Sequence, residues 1–351
     1  MQGGAPVDVL SDVLRGVRLT SSLFFCAEAS SPWVAEAPTA SAMAPILAPA
    51  QHVISYHVLL EGECYCELAG ADPVRLEPGD IAVIPHGDRY AMSSRPGMLG
   101  SYTEAELCEW FRQTVARAVA DPVRFVEGGG EAESRRVLCG FLGCDAVPFN
   151  PVLGPLPRLL HLRSHEHGAD ERLKHLTALA LAEVREARAG RDCMLLRISD
   201  LLFVEVVRRY LDGMSGESAG WLAGLRDPLI GHALALLHRR PSHAWTVEEL
   251  GRSIGASRSV LAERFSALVG QPPMQYLTHW RIQLASGLLR APGAKVAAVA
   301  LQVGYDSEAA FSRAFKGLVG VSPAEWRRQR TVPVPAAARC ASRPRRRSGR
   351  C

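Results

Sequence analysis

Three groups of side chains in the front half of this 351-residue sequence have types and spacing suited to chemistry. Cys64 and Cys66 form a Cys-x-Cys step inside the alternating run "CYCEL". On a strand, residues i and i+2 share a face, so both thiols point the same way. Such a pair suits the sensing of an oxidant or of a soft metal such as Cu(I) or Zn. It suits equally two small buried hydrophobes, the usual condition of a free cysteine. His52, His57 and His86 are imidazoles close enough in sequence to share a sheet, and "HLRSHEHG" adds His161, His165 and His167 just ahead of a helical stretch, where a solvated loop is the simpler expectation. In the back half the chemistry is charge. Residues 228–351 hold 19 Lys+Arg against 6 Asp+Glu, so a chain of net charge +4 is +13 there and −9 in front. Six of those arginines lie between Arg339 and Arg350, yet residues 228–330 alone still hold 13 basic against 6 acidic side chains. That asymmetry points to an anionic partner such as nucleic acid.

The elements that must position these groups follow from periodicity. Within 50–100, β-branched and aromatic runs are broken by Glu61-Gly62, Pro78-Gly79-Asp80 and His86-Gly87-Asp88, the turn chemistry of short strands in a small barrel or sandwich. "PVRFVEGG" and "RRVLCGFLGC" read as further strands. From Glu171 the period becomes helical, with Leu173, Leu176, Leu179 and Ala180 on one face, and a second helix stops near Gly213. "MSGESAG" reads as a linker, and residues after Arg330 have no periodicity. No apolar run has the roughly 18 residues of a membrane span. Residues Met1 to Leu10 lack a secretory pattern, and the nine cysteines are an odd number. Both features suggest a reducing cytoplasm rather than a disulfide framework.

One unit occurs twice. "VEELGRSIGASRSVLAERFSALVGQPPMQY" (247–276) and "VAAVALQVGYDSEAAFSRAFKGLVGVSPAEW" (296–326) share their apolar positions, glycines and proline. Val247 matches Val296, Leu250 matches Val299 and Gly255 matches Gly304; after a one-residue insertion, Phe265 matches Phe315, Gly270 matches Gly320, Pro273 matches Pro323 and Tyr276 matches Trp326. Thr246 can cap a short helix that Gly255 ends, and Ser257 can cap a second helix with Leu261, Phe265 and Leu268 inward. In the second copy Gly304 makes the turn, Asp306 or Ser307 caps, and Phe311, Phe315 and Leu318 face inward. This is a helix-turn-helix, twice. The joining helix from Pro273 spans about 18 residues, roughly 27 Å, which suits two reading helices about one DNA turn (~34 Å) apart.

The second copy, with Gly304-Tyr305, Phe311, Arg313, Phe315-Lys316, Gly320, Pro323 and Trp326-Arg327, resembles the AraC/XylS family of bacterial transcriptional regulators over about 228–330. The resemblance implies that the second helix of each unit enters a major groove of double-stranded promoter DNA, with base-reading positions early on its outward face. Those positions hold Ser259, Ala262 and Glu263 in the first copy, and Glu308, Ala309 and Arg313 in the second, with Ser307 at the cap. Arg313 suits the O6/N7 pair of guanine; Glu263 or Glu308 can accept from cytosine N4, or simply pair with nearby arginines; the alanines offer contact to a thymine methyl. Arg258, Arg264, Arg281, Lys316, Arg327 and Arg328 are candidates for phosphate.

"YHVLLEGECYCELAG" and "VRLEPGDIAVIPHGDRYAM", with Leu60-Glu61-Gly62, Pro78-Gly79-Asp80 and Pro85-His86-Gly87, resemble the cupin-type sensory domain of one branch of that family. The cupin-like stretch holding His52, His57 and His86 has no His-x-His run, and Tyr90 stands where a metal-binding cupin places its last histidine; no metal, cofactor or catalytic residue is therefore expected. The fold expected is α+β: a cupin-like barrel (1–165) as sensor, a helical dimerisation segment (166–213), a linker (214–227), an all-α double helix-turn-helix (228–330) and a basic disordered tail (331–351). The function expected is transcription regulation by a cytoplasmic homodimer, a non-enzyme, answering a small-molecule effector near His57, Cys64, Cys66, His86 or Tyr90, and engaging RNA polymerase if it activates. A thiol redox sensor through Cys64 and Cys66 and a metal-dependent cupin enzyme are the alternatives.

Overall fold

The computed structural model describes residues 8–16, 19–47, 50–98, 102–120, 125–127, 134–144, 149–164, 171–186, 188–214 and 220–331. His165, His167 and the tail after Thr331 lie outside them. Among the described residues, a first helix, α1 (Val9–Gly16), precedes ten strands in two sheets. The larger sheet has the order β10 (Leu160–Leu162), β6 (Ile81–Ile84), β3 (His52–Glu61), β9 (Ser134–Cys144), β1 (Leu19–Ser30), β8 (Phe125–Glu127). The smaller has the order β2 (Val34–Ala37), β7 (Tyr90–Ser93), β4 (Cys64–Leu68), β5 (Val74–Leu76). A short helix α2 (Ala40–Met43) and a long one, α3 (Glu104–Ala120), interrupt the strands.

The long strands explain the layers. β9 pairs antiparallel with β1 from Leu19↔Cys144 to Ser30↔Ser134 and, on its other edge, with β3 from His52↔Cys144 to Glu61↔Arg136. β3 is buried almost without a break from Val53 to Leu59, the pattern of a strand covered on both faces. Ile54, Tyr56 and Val58 join the core shared with the helices, whereas Val53 and Leu59 join a second core between the two sheets. Helices α4 (Glu171–Glu186) and α5 (Arg191–Gly213) pack on each other and on β1. The buried stripe of α4 is Leu173, Thr177, Ala180 and Val184. Leu179, expected on that face, turns outward, because six residues at 100° each carry it away from Leu173.

Four helices have no counterpart in the sequence reading: α1, α2, α3 and one in the expected linker. α3 carries Leu107, Phe111 and Thr114 inward, and its start is a capping box: Thr103 Oγ1 accepts from the Glu106 amide (3.3 Å) while Glu106 Oε2 accepts from the Thr103 amide (2.7 Å). Residues 220–226, expected in a linker, form α6 (Trp221–Arg226) with Trp221 buried.

The turn Pro78-Gly79-Asp80 is fastened to the end of β10. Asp80 accepts hydrogen bonds from the amides of Ser164 (2.8 Å) and Glu77 (3.1 Å), and its Oδ2 lies 2.9 Å from His161 Nε2. Burial raises the Asp80 carboxyl, but these bonds outweigh it and hold the carboxyl below its ordinary value. A depressed carboxylate stabilises the fold above its unfolded value and loses that contribution as pH falls through its folded one. Asp80→Ala is therefore expected to lower stability by about 1–3 kcal/mol at neutral pH, with the difference from wild type shrinking below pH about 4. Denaturant titrations at the two pH values check this.

Candidate functional site

The two helix-turn-helix units superimpose in their local logic. In the first, Thr246 Oγ1 accepts from the Glu249 amide (3.1 Å) to start α8 (Val247–Ile254). Gly255, at φ 74°, ends it, and Ser257 Oγ accepts from the Val260 amide (3.3 Å) to start α9 (Arg258–Val269). In the second, α11 (Val296–Gln302) leads through Gly304 at φ 89°, and Ser307 Oγ accepts from the Ala310 amide (3.2 Å) to start α12 (Glu308–Val319). Ser307 rather than Asp306 is thus the cap. The buried aromatic pair is repeated as well: Phe265 and Tyr276 stand 5.8 Å apart at 70°, Phe315 and Trp326 6.0 Å apart at 72°. The joining helix α10 (Pro273–Leu288) has 16 residues, a rod of about 24 Å. Helix α7 (Pro228–Arg239) opens this region and α13 (Pro323–Thr331) closes it.

Leu261 and Phe265 anchor α9, and Phe311 and Phe315 anchor α12. Two residues from a buried position is about 200° around a helix, so Glu263 and Arg313 stand on the outward faces; Ser259, Glu308 and Ala309 are exposed there too, and Ala262 is half-buried beside them. Among the described residues, neither Arg313 nor Lys316 forms an ion pair, and neither Glu263 nor Glu308 has an arginine partner. Arg258 is exposed and only 3.7 Å from Glu248. Four other arginines have structural partners. Arg264 Nε donates to Asp227 (3.0 Å), the residue that caps α7. Arg281 is half-buried and donates to the Pro241 (2.6 Å) and His243 (2.7 Å) carbonyls. Arg327 donates to the Ala294 carbonyl and Arg328 pairs with Glu325. Except for Glu325, three residues from Arg328, these partners are remote in sequence and invisible to spacing.

This region also touches the front half. Tyr276 accepts from Trp221 Nε1 (2.9 Å) and bonds His238 Nε2 (2.7 Å). Burial pushes the His238 imidazole down to about 3. Phe149 packs edge-on against Tyr276 (5.5 Å) and tilted against His279 (5.2 Å), and α1 packs on α7 and α10.

Between the two sheets lies a cavity, part of it open to solvent. Its walls follow strand alternation: Phe25, Ala27 and Ala29 of β1, and Val137, Cys139 and Phe141 of β9, all face in. His57 and Tyr90 meet in it, with Nε2 and the phenol oxygen 2.5 Å apart. Burial alone pushes His57 down to about 3, so the ring is neutral. The other expected effector residues are elsewhere. His86 Nε2 bonds the Leu156 carbonyl (2.8 Å). Cys64 and Cys66 are fully buried in the core between the sheets and do not line the cavity. Burial pushes the Cys64 thiol up to about 12 and raises Cys66 further, so both are protonated small hydrophobes. A cupin metal would need several ligands converging on His57. Its partner is a phenol instead, and among the described residues no group of three or more His, Cys, Asp or Glu is placed to hold an ion; these residues do not fit a metal. No described helix is long and apolar enough to cross a membrane.

A two-sheet barrel, packed through helices onto paired helix-turn-helix units, defines a class: transcription regulators that join a cupin domain to a bipartite DNA reader. Comparison with known proteins agrees. A family model described as cupin matches residues 8–212, and one described as a helix-turn-helix domain matches residues 250–329. The chain is 31% identical to a protein of Streptomyces lividans described as an AraC-like transcription regulator, over 93% of this chain and 100% of that one. It is 32% identical to a protein of Streptomyces antibioticus of the same description, over 94% and 100%. It is 26% identical to the HTH-type transcriptional regulator AlkR of Acinetobacter baylyi, over 92% and 100%. Among solved structures it is similar to the DNA-binding domain of AdpA in complex with a target DNA (31% identity, 29% of this chain, 92% of that one, TM-score 0.28). The chain belongs to the family of AraC-like transcription regulators with an N-terminal cupin domain.

Proposed function

We propose that this regulator reads an asymmetric promoter site with α9 and α12 in successive major grooves, and that a signal received in the cupin-like domain alters that binding. The duplicated unit carries the reading: two outward helix faces of unlike chemistry sit at the ends of one rod. Ser259, Ala262 and Glu263 address one half of the site, and Glu308, Ala309 and Arg313 the other, while Arg258 and Lys316 meet phosphate. The front part (1–165) serves as sensor, 166–213 as dimerisation segment and 228–330 as reader. The outer side of α4 and α5 leaves Leu179, Met194 and Leu201 exposed, which favours a homodimer through that side; RNA polymerase is the further partner if the chain activates. The signal reaches the cavity at His57 and Tyr90 rather than Cys64 and Cys66, whose buried, protonated thiols argue against a redox role. Genome-wide mapping of bound DNA tests the reading. Recovered sites should contain two unlike elements about 10 base pairs apart, and inserting half a turn (about 5 base pairs) between them should abolish specific binding. Binding indifferent to that insertion would remove the rod model.

A further inference from the structure

The cavity between the sheets has features that select among effectors. Its wall is almost wholly carbon, with Phe25, Trp33, Met92, Trp110 and Phe141 around small alanines. The one carboxylate in the lining, Glu36, is fully buried and already matched by Arg89 at 2.6 Å. Two polar atoms are left over. Trp33 Nε1 and His57 Nδ1 are both buried and have no hydrogen-bond partner, on side chains at 5% and 2% exposure. Such orphans are rare in folded proteins and mark a missing partner. The indole nitrogen can only donate. It is held in place from behind: the Trp33 amide donates to Ser94 Oγ (3.1 Å) and its carbonyl accepts from the Ser94 amide (3.0 Å). His57, fixed by Tyr90 through Nε2, lines the same space.

Resting on the reading that the cupin-like domain receives the signal, we propose that its ligand is an uncharged, largely apolar ring compound bearing a carbonyl-type acceptor for the Trp33 indole N–H, with His57 as second polar contact. An anion or a cation would enter an apolar cavity with no unmatched counter-charge among the described residues, and would lose its hydration without replacement. A pure hydrocarbon would leave both orphans unsatisfied.

The test uses four probes of one shape with the full-length chain: naphthyl methyl ketone, ethylnaphthalene, naphthoate and naphthylmethylamine, titrated by calorimetry. The ketone should bind at least about tenfold more tightly than either charged probe, and about fivefold more tightly than ethylnaphthalene. Trp33→Phe should erase the preference for ketone over ethylnaphthalene while keeping the hydrocarbon's affinity. Ala27→Phe, which fills the cavity, should remove all binding while leaving cooperative melting and DNA binding in place. Naphthoate or the amine binding as tightly as the ketone overturns the proposal. So does a ketone preference that survives Trp33→Phe, or ketone binding that survives Ala27→Phe. DNA affinity measured with and without bound ketone separates the two layers. Selective ketone binding that leaves DNA affinity unchanged keeps the ligand class and removes the signal reading. A response to a charged probe alone does the reverse.

Discussion

Arg313→Ala is expected to weaken binding to the specific site by about 1–3 kcal/mol and to erase preference at one base pair. The expectation rests on position. Phe311 and Phe315 fix the inward face of α12, and Arg313 stands opposite them on an exposed surface with no protein partner among the described residues. An arginine so placed offers its planar fork to guanine O6 and N7 without first breaking an ion pair. Lys316→Ala supplies the contrast. A lost phosphate contact should weaken specific and non-specific binding alike and reduce the salt slope by about 1. Binding measured on the cognate site, on its single-base variants and on random DNA, each across a salt series, distinguishes the two. An equal loss on all sequences for Arg313→Ala would reassign that side chain to the backbone.

The second large effect concerns a turn. Gly255 and Gly304 are equivalent in the repeat and both adopt left-handed backbone, at φ 74° and 89°. They differ in what surrounds them. A Cβ on Gly255 would meet nothing within 4 Å, whereas a Cβ on Gly304 would lie 2.6 Å from the Cα and carbonyl oxygen of Ser242. Gly255→Ala should thus cost only the conformational penalty, about 1–2 kcal/mol. Gly304→Ala adds a clash with backbone that no rotamer relieves, and should cost about 3 kcal/mol or more. Because Ser242 lies between α7 and α8, the damage should spread from the second unit to the first. Chemical denaturation of both variants checks the ranking; equal losses would mean that the 240s segment yields freely.

The repeat made the DNA-reading half legible because its signals are local. Caps, glycines and inward aromatics lie within a few residues of the elements they define, and Thr246, Ser257, Gly255 and Gly304 do what their types predict. The same local signal marks the start of α3, in the box Thr103-x-x-Glu106. What could not be read is what depends on distant partners. The partners of Arg264 and Arg281, namely Asp227, Pro241 and His243, are not legible from spacing. Tyr90 was legible as a departure from a metal-binding pattern, but its bond to His57 spans 33 positions. Cys64 and Cys66 share a face as alternation requires, yet which face meets the cavity is decided by the packing of two sheets.

Val13, Tyr56, Leu202, Trp221 and Tyr276 belong to one continuous apolar core, and that continuity bears on portability. A fragment starting at residue 228 would lose the indole that donates to Tyr276 and would bare the surface that α1 and Phe149 cover. The reader is therefore not a cassette to be grafted onto another sensor at the apparent boundary. A working chimaera should keep the sequence from Gly220 onward and supply a substitute for the first helix.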